Sequence, residues 1–212
     1  MKIGIIGAGG KSGTCLMAEA LRQGHEVTAI VRDKAKISDE RVTILERDLF
    51  ALSTGDVAGF DVVIDAFRAP QGKEEQHRTS MEHLIAVFAT LPSVRLLVVG
   101  GAGSLYTDGA RTGRLMDSEG FPAAYLPTAS SMAEAFAELK VSPVNWTYLS
   151  PAAEYDPAGV RTGFYNLGGD VMILNAAGES YVSYADYALA MIDEIREKAH
   201  VGKRFTVVGE RE

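Results

Sequence analysis

The sequence predicts an α/β fold: a doubly wound parallel sheet of the dinucleotide-binding Rossmann type, with a small C-terminal substrate cap. Three observations carry the prediction. Short apolar, β-branched runs alternate with helical patterns, a glycine-rich turn follows the first run directly, and the composition can fill a core. The runs are continuously apolar, as in parallel strands covered on both faces. Of 212 residues, 47% are hydrophobic and 23% charged, an ordinary globular balance that excludes wholesale disorder. A chain of this length buries roughly 70% of its unfolded surface and needs no staples.

The elements follow in order. Residues 3–6 form the first strand, the glycine turn occupies 7–13, and a helix of about three turns begins near Ser12. Further strands are expected at 26–31, 42–45, 61–66, 94–99, 145–149 and 205–208. Between them, Met81, Leu84, Ile85 and Phe88 recur at helical spacing. So do Met132, Ala135, Phe136 and Leu139, and again Ala185, Ala188, Leu189 and Ile192. Each set puts one apolar stripe against the sheet. Ser131-x-x-Glu134 and Ser183-x-x-Asp186 read as capping boxes. Residues 100–127 and 159–180 are poorly periodic and read as long loops over the strand ends, where function concentrates. The expectation is one domain, 1–212, with about 152–182 as the substrate-side subregion.

The turn reads Gly7-Ala8-Gly9-Gly10-Lys11-Ser12-Gly13. Gly7 permits a tight strand-to-helix turn, Gly10 removes a side chain that would block a pyrophosphate, and Gly13 lets helix and strand pack closely. Lys11 and Ser12 then open a helix whose free N–H groups favour phosphate. A nucleoside-triphosphate loop fits less well, because the glycine it needs five residues before Gly10 is Ile5.

The second strand ends Val31-Arg32-Asp33-Lys34. NAD binders place an acid at this strand end for the ribose 2′-hydroxyl. Here that position is apolar and Arg32 follows. A guanidinium suits a 2′-phosphate, with Lys34 and Lys36 nearby, so NADP(H) is favoured over NAD(H). Asp33 remains an alternative partner for a ribose hydroxyl. Asp48 and Leu49 are placed to meet the adenine, and Ala66, Phe67 and Arg68 to lie beside the cofactor.

On these residues the chain resembles the atypical short-chain dehydrogenase/reductase family over almost its whole length. It is most similar to small bacterial NADH–flavin reductases, and through them to biliverdin-IXβ/flavin reductases and NmrA-type redox sensors. The matching pieces are the turn at 7–13, Val-Arg-Asp at 31–33 and Arg-Asp-Leu at 47–49. Further matches are Val-Val-Gly-Gly-Ala-Gly-Ser-Leu at 98–105, Leu-Ser-Pro-Ala at 149–152 and Ser-Tyr-Ala-Asp-Tyr-Ala at 183–188. The resemblance implies cofactor contacts from Gly100, Gly101, Ser150, Pro151 and Ala152.

Typical members use Ser, Tyr and a Lys four residues after the Tyr, which tunes the phenol for proton exchange. This chain has no Tyr-x-x-x-Lys; its best-placed tyrosine gives Tyr125-x-x-x-Ala129. Ser104 and Tyr125 are the catalytic candidates, as hydrogen-bond donors to a substrate. The departure fits a flavin or another flat conjugated acceptor, bound as substrate, which takes hydride directly and needs a flat apolar slot. Phe67, Tyr125, Phe164 and Tyr165 are candidates to line it, and Glu154 and Asp156 to face the cleft. The alternative is a non-catalytic NAD(P)-binding redox sensor that acts through a protein partner. Sugar-nucleotide isomerase or epimerase chemistry ranks last, because it also uses the Tyr–Lys pair.

The remaining features bound the setting. The net charge is −7, against a nucleic-acid partner. The four histidines stand far apart and no cysteine joins them, so no metal site is expected. The single cysteine, Cys15, cannot form an internal disulfide, and no run of ~18 apolar residues exists, so a cytoplasmic protein without membrane contact is expected. A homodimer is left open.

Overall fold

The computed structural model describes residues 1–211. The first half of the chain runs β1 (Lys2–Ile6), α1 (Lys11–Arg22), β2 (Glu26–Val31), β3 (Thr43–Glu46), α2 (Thr54–Val57), β4 (Val62–Asp65), α3 (Gln76–Phe88) and β5 (Arg95–Val99). The second half runs α4 (Leu126–Lys140), β6 (Trp146–Ser150), β7 (Glu154–Asp156), β8 (Tyr165–Gly168), β9 (Tyr181–Ser183), α5 (Tyr184–Glu197) and β10 (Arg204–Gly209).

Eight strands form one sheet in the order β3-β2-β1-β4-β5-β6-β10-β8. All neighbours are parallel except β8, which runs antiparallel along β10. β7 and β9 pair separately, in parallel. The doubly wound prediction therefore holds. The expected loop at 159–180 contains β8, so the expected substrate-side stretch supplies an edge strand to the main sheet.

The two faces of the sheet carry separate apolar layers. On one, Ile3 and Ile5 of β1 meet Leu16 and Ala20 of α1 and Ile192 of α5. On the other, Val63 and Leu96 meet Leu84 and Phe88 of α3 and Phe136 of α4. Each fully buried side chain of this size stabilises by roughly 1.5–3 kcal/mol, and most of the central strand residues are inaccessible.

The helix starts carry the local differences from expectation. α1 begins at Lys11, one residue before Ser12, capped by Gly10 with no side-chain hydrogen bond. α4 begins at Leu126 with a proline in its first turn, so Ser131 lies inside the helix and caps nothing. The capping box read there is wrong; the Ser131 hydroxyl is buried without a partner among the described residues. At α5 the box is half present. Ser183 Oγ accepts the Asp186 N–H at 2.9 Å. The Asp186 carboxylate is fully buried and accepts from the Gly163 N–H (2.9 Å), the Thr162 N–H (3.1 Å), the Thr162 hydroxyl (2.8 Å) and the Ser183 hydroxyl (3.2 Å). Arg161 donates to Glu19 of α1 at 3.2 Å, so two carboxylates strap this segment to the two helices on that face.

Strand order reverses between β1 and β4, whose neighbours continue in opposite directions. In open α/β sheets the crevice outside such a reversal is where ligands bind.

Candidate functional site

The turn after β1 occupies that crevice. Gly7 has φ +73°, and a Cβ there would stand 2.7 Å from the Ala66 carbonyl oxygen. A Cβ on Gly13 would overlap the Gly7 carbonyl and the Ala8 backbone. Both positions therefore admit only glycine, for the two reasons read from the sequence: the turn conformation and the close helix–strand approach. The Gly10 N–H bonds back to the Gly7 carbonyl at 2.9 Å and closes the turn. The N–H groups of Lys11, Ser12 and Gly13 open α1 with no helical acceptor, and they carry the positive end of its dipole.

A cleft of about 620 Å³ opens in front of this turn. It brings together Gly7 and Gly10 from the turn, Arg32 after β2, Asp48 and Leu49 after β3, and Ala66, Phe67 and Arg68 after β4. Lys36 and Arg47 also line it, as does Phe50, which was not singled out in the sequence. Phe50 meets Phe67 edge to face, ring centroids 6.2 Å apart, which makes an aromatic wall.

The far end of the cleft is cationic. Arg32 is 71% exposed and only loosely paired, its Nε 3.9 Å from Asp48. Asp33 accepts the Ala35 N–H at 3.0 Å and so caps its own short 3-10 turn. Asp48 does the same for the Phe50 N–H at 2.9 Å. Arg47 reaches Asp56 at 3.4 Å, and Lys34 reaches Glu46 at 3.7 Å. Arg32, Lys36, Arg47 and Arg68 thus face two acids that already serve local turns.

Beyond the cleft, Asp65, Val98, Tyr148 and Arg204 stand in one register row across β4, β5, β6 and β10. Burial pushes the Asp65 carboxyl up to about 6, against the Phe67 N–H that bonds it. Burial likewise pushes the Tyr148 phenol up to about 12. Its oxygen accepts the Gly101 N–H at 3.2 Å. A small cavity of about 20 Å³ lies among Asp65, Tyr148, Ser80 and His77. His77 is held down to about 4 by burial and by the nearby Arg68.

Gly100, Gly101, Ser150, Pro151 and Ala152 sit at the ends of β5 and β6, outside the cleft lining. Gly100 has no room for a Cβ against the Tyr148 ring. Ser150 is fully buried and its hydroxyl has no partner among the described residues. Ser104 is half-buried, and both its oxygens accept from Arg204. Tyr125 is 64% exposed, and no hydrogen bond joins it to Ser104 among the described residues. Of the four slot candidates only Phe67 lines the cleft. Tyr165 donates to Asp193 of α5 at 2.9 Å and Phe164 is 76% exposed. Glu154 pairs with Arg211, and Asp156 accepts from Tyr181, so both acids serve the β7–β9 region.

The sequence reading missed Tyr155 and Arg204, whose side chains act over long separations. Tyr155 touches Ser12, 143 positions away, and Arg204 touches Ser104, 100 positions away. No local pattern announces such pairs.

A glycine turn that tolerates no Cβ at Gly7 or Gly13, an open helix N-terminus and a crevice at the strand-order reversal together define a dinucleotide-binding Rossmann domain. The chain belongs to the NAD(P)H-binding family, which it matches over residues 7–198. It is 52% identical over 213 residues to the uncharacterised protein YwnB of Bacillus subtilis (strain 168), covering all of both chains. A solved structure from Streptococcus pneumoniae TIGR4, provisionally named an NADH-flavin reductase, is 39% identical with a TM-score of 0.94, over 99% of this chain and 100% of that one. A provisionally named epimerase from Bacteroides thetaiotaomicron is 36% identical with a TM-score of 0.84, over 100% and 99%. The resemblance to atypical short-chain dehydrogenase/reductases holds. Among the described residues no helix is long and apolar enough to cross a membrane.

Proposed function

We propose that this protein is an NADPH-preferring oxidoreductase that passes hydride to a flavin or a similarly flat conjugated acceptor. The observation that carries the cofactor choice is the cationic cleft end. Arg32 is exposed and loosely held, while the neighbouring acid Asp33 is engaged in its own turn. A dianionic 2′-phosphate gains charge-assisted hydrogen bonds there that a bare ribose hydroxyl does not.

Bound there, a reduced nicotinamide supplies a hydride. The chain's own residues do the rest. The N–H groups of Lys11, Ser12 and Gly13 hold the pyrophosphate, and Arg32 with Lys36 holds the 2′-phosphate. Gly100, Gly101 and the Ser150–Ala152 segment border the nicotinamide. Ser104 donates a hydrogen bond to the acceptor, and Tyr125 lies exposed at the start of α4, where an acceptor can reach it.

The absence of a lysine near Tyr125 supports an acceptor that needs little acid help, and the name carried by the Streptococcus pneumoniae relative agrees with this choice. The exposure of Tyr125 also favours a second reading, a dinucleotide-bound sensor without turnover.

The test mixes purified protein with NADPH or NADH and with FMN, FAD or riboflavin, following absorbance of the reduced nicotinamide. NADPH oxidation well above the buffer rate, faster than with NADH, is the expected result. Tight NADPH binding without oxidation selects the sensor.

A further inference from the structure

We propose that Arg204 is a positioning residue that makes Ser104 the hydrogen-bond donor to the acceptor, in place of the lysine this chain lacks. The proposal rests on the reductase reading above.

Arg204 opens β10 and is 8% exposed. Its Nη1 donates to Ser104 Oγ at 2.9 Å and to the Ser104 carbonyl at 3.0 Å. Its Nε donates to Asp170 at 2.7 Å, and its Nη2 to the Asp170 carbonyl at 3.3 Å. The guanidinium also lies over the Phe136 ring, 4.9 Å from the centroid. An acid, a ring and two backbone carbonyls therefore fix its plane. A fork so held delivers its charge to one place.

Ser104 receives that charge. Its Oγ is an acceptor from a cation, so its own hydrogen is free, and it donates to no acceptor among the described residues. A hydroxyl that accepts from a charged donor becomes a better donor itself, because hydrogen bonds in a chain polarise one another. The loop is held at its other end by Tyr148, which accepts the Gly101 N–H. Tyr148 and Arg204 are register partners on β6 and β10, and both contact Phe136. Residues 101–104 thus ride on a fixed base, with the half-buried Ser104 hydroxyl keeping its hydrogen unused.

The chemistry matches this geometry. Hydride addition gives the acceptor two electrons and one hydrogen, leaving negative charge on an oxygen or ring nitrogen until solvent supplies a proton. A donor at that atom stabilises the charge as it develops. A scaffold tie would need only the Ser104 carbonyl; the second bond, to Oγ, serves the side chain.

The experiment compares wild type, Ser104→Ala, Ser104→Thr, Arg204→Lys and Arg204→Gln in NADPH-dependent FMN reduction, with NADPH affinity measured separately by fluorescence titration. Ser104→Ala and Arg204→Gln should each lower kcat by roughly tenfold or more, as for loss of a charge-assisted bond. NADPH affinity should not change, and the double variant should be no slower than the slower single one. Ser104→Thr and Arg204→Lys should recover part of the rate. Full kcat in Ser104→Ala, a variant that removes one hydroxyl and leaves the fold alone, overturns the proposal. An Arg204→Gln defect without one in Ser104→Ala, accompanied by a lower Tm, marks Arg204 as scaffold only and also overturns it. A wild type that reduces no flavin removes the reductase reading itself, and this proposal with it.

Discussion

The Tyr155 phenol donates a hydrogen bond to the Ser12 hydroxyl at 3.2 Å, tying β7 to the first turn of the phosphate helix. Burial pushes this phenol well above its ordinary value, so it stays an O–H donor across the physiological range. Its ring lies against Tyr184, centroids 3.8 Å apart, which fixes its direction. The Ser12 hydroxyl keeps its own hydrogen, which donates to no acceptor among the described residues.

Tyr155→Phe removes this one bond and keeps the ring. The expected cost is about 1 kcal/mol, a loss of roughly fivefold in affinity, equal for NADPH and NADH because both carry the pyrophosphate. Ser12→Ala should match it, and the double variant should lose no more than either single one. Calorimetric titration reads all three; a loss confined to NADPH would contradict the assignment of Ser12 to the pyrophosphate.

Gly13→Ala should abolish dinucleotide binding and lower Tm, because its methyl has no place beside the Gly7 carbonyl. Gly7→Ala should do the same through φ +73° and the Ala66 contact. Gly109→Ala, where an added Cβ meets nothing within 4 Å, is the matched control and should bind normally.

Arg32→Ala should weaken NADPH by roughly 10- to 100-fold, the range for a charge-assisted hydrogen bond to phosphate. NADH should change about twofold or less. Equal losses for both cofactors would place Arg32 away from the 2′-phosphate. Binding measured at two salt concentrations should show the NADPH preference shrinking at high salt.

Asp65 and His77 should give opposite pH slopes. The Asp65 carboxyl is raised to about 6 in the fold, so its favourable contribution is full below its unfolded value near 4 and lost as pH rises through 6. His77 is lowered to about 4, so its contribution is full above about 6.5 and lost as pH falls through 4. Asp65→Asn should therefore gain stability over wild type as pH rises from 4 to 7. His77→Gln should lose its disadvantage as pH falls over the same range. Denaturant midpoints at four pH values read both differences, and parallel curves would refute them.

Most of the main sheet is legible in the sequence because its strands are buried on both faces, so their residues read as unbroken apolar runs. β7 (Glu-Tyr-Asp) and β8 (Tyr-Asn-Leu-Gly) are not, since their residues are largely exposed or half-buried and carry no such run. Ser131 misleads for a related reason: Ser-x-x-Glu marks a helix start only where nothing upstream is helical, and here Leu126–Ser130 already is.

The phosphate half of the site is legible because its residues are contiguous. Gly7, Gly10 and Gly13 act within one turn, and Arg32 follows a strand whose end is plain from its composition. The acceptor half is assembled across the chain. Ser104 could be singled out, but the residue that orients it could not. Arg204 acquires that part only through the pairing of β10 with β6, which sets Arg204 opposite Tyr148.

That pairing also bears on the order in which the protein matures. β10 lies between β6 and β8, yet it leaves the ribosome after both. The strands and turn that form the adenine end of the cleft, β1 to β4, are complete more than a hundred residues earlier. A nascent chain therefore carries its nucleotide-gripping residues while the place beside β6 is still unfilled. Only when residues 204–209 slide into that gap does Arg204 arrive at Ser104. The residues of the phosphate turn are made first, and Arg204, the proposed partner of Ser104, is made last.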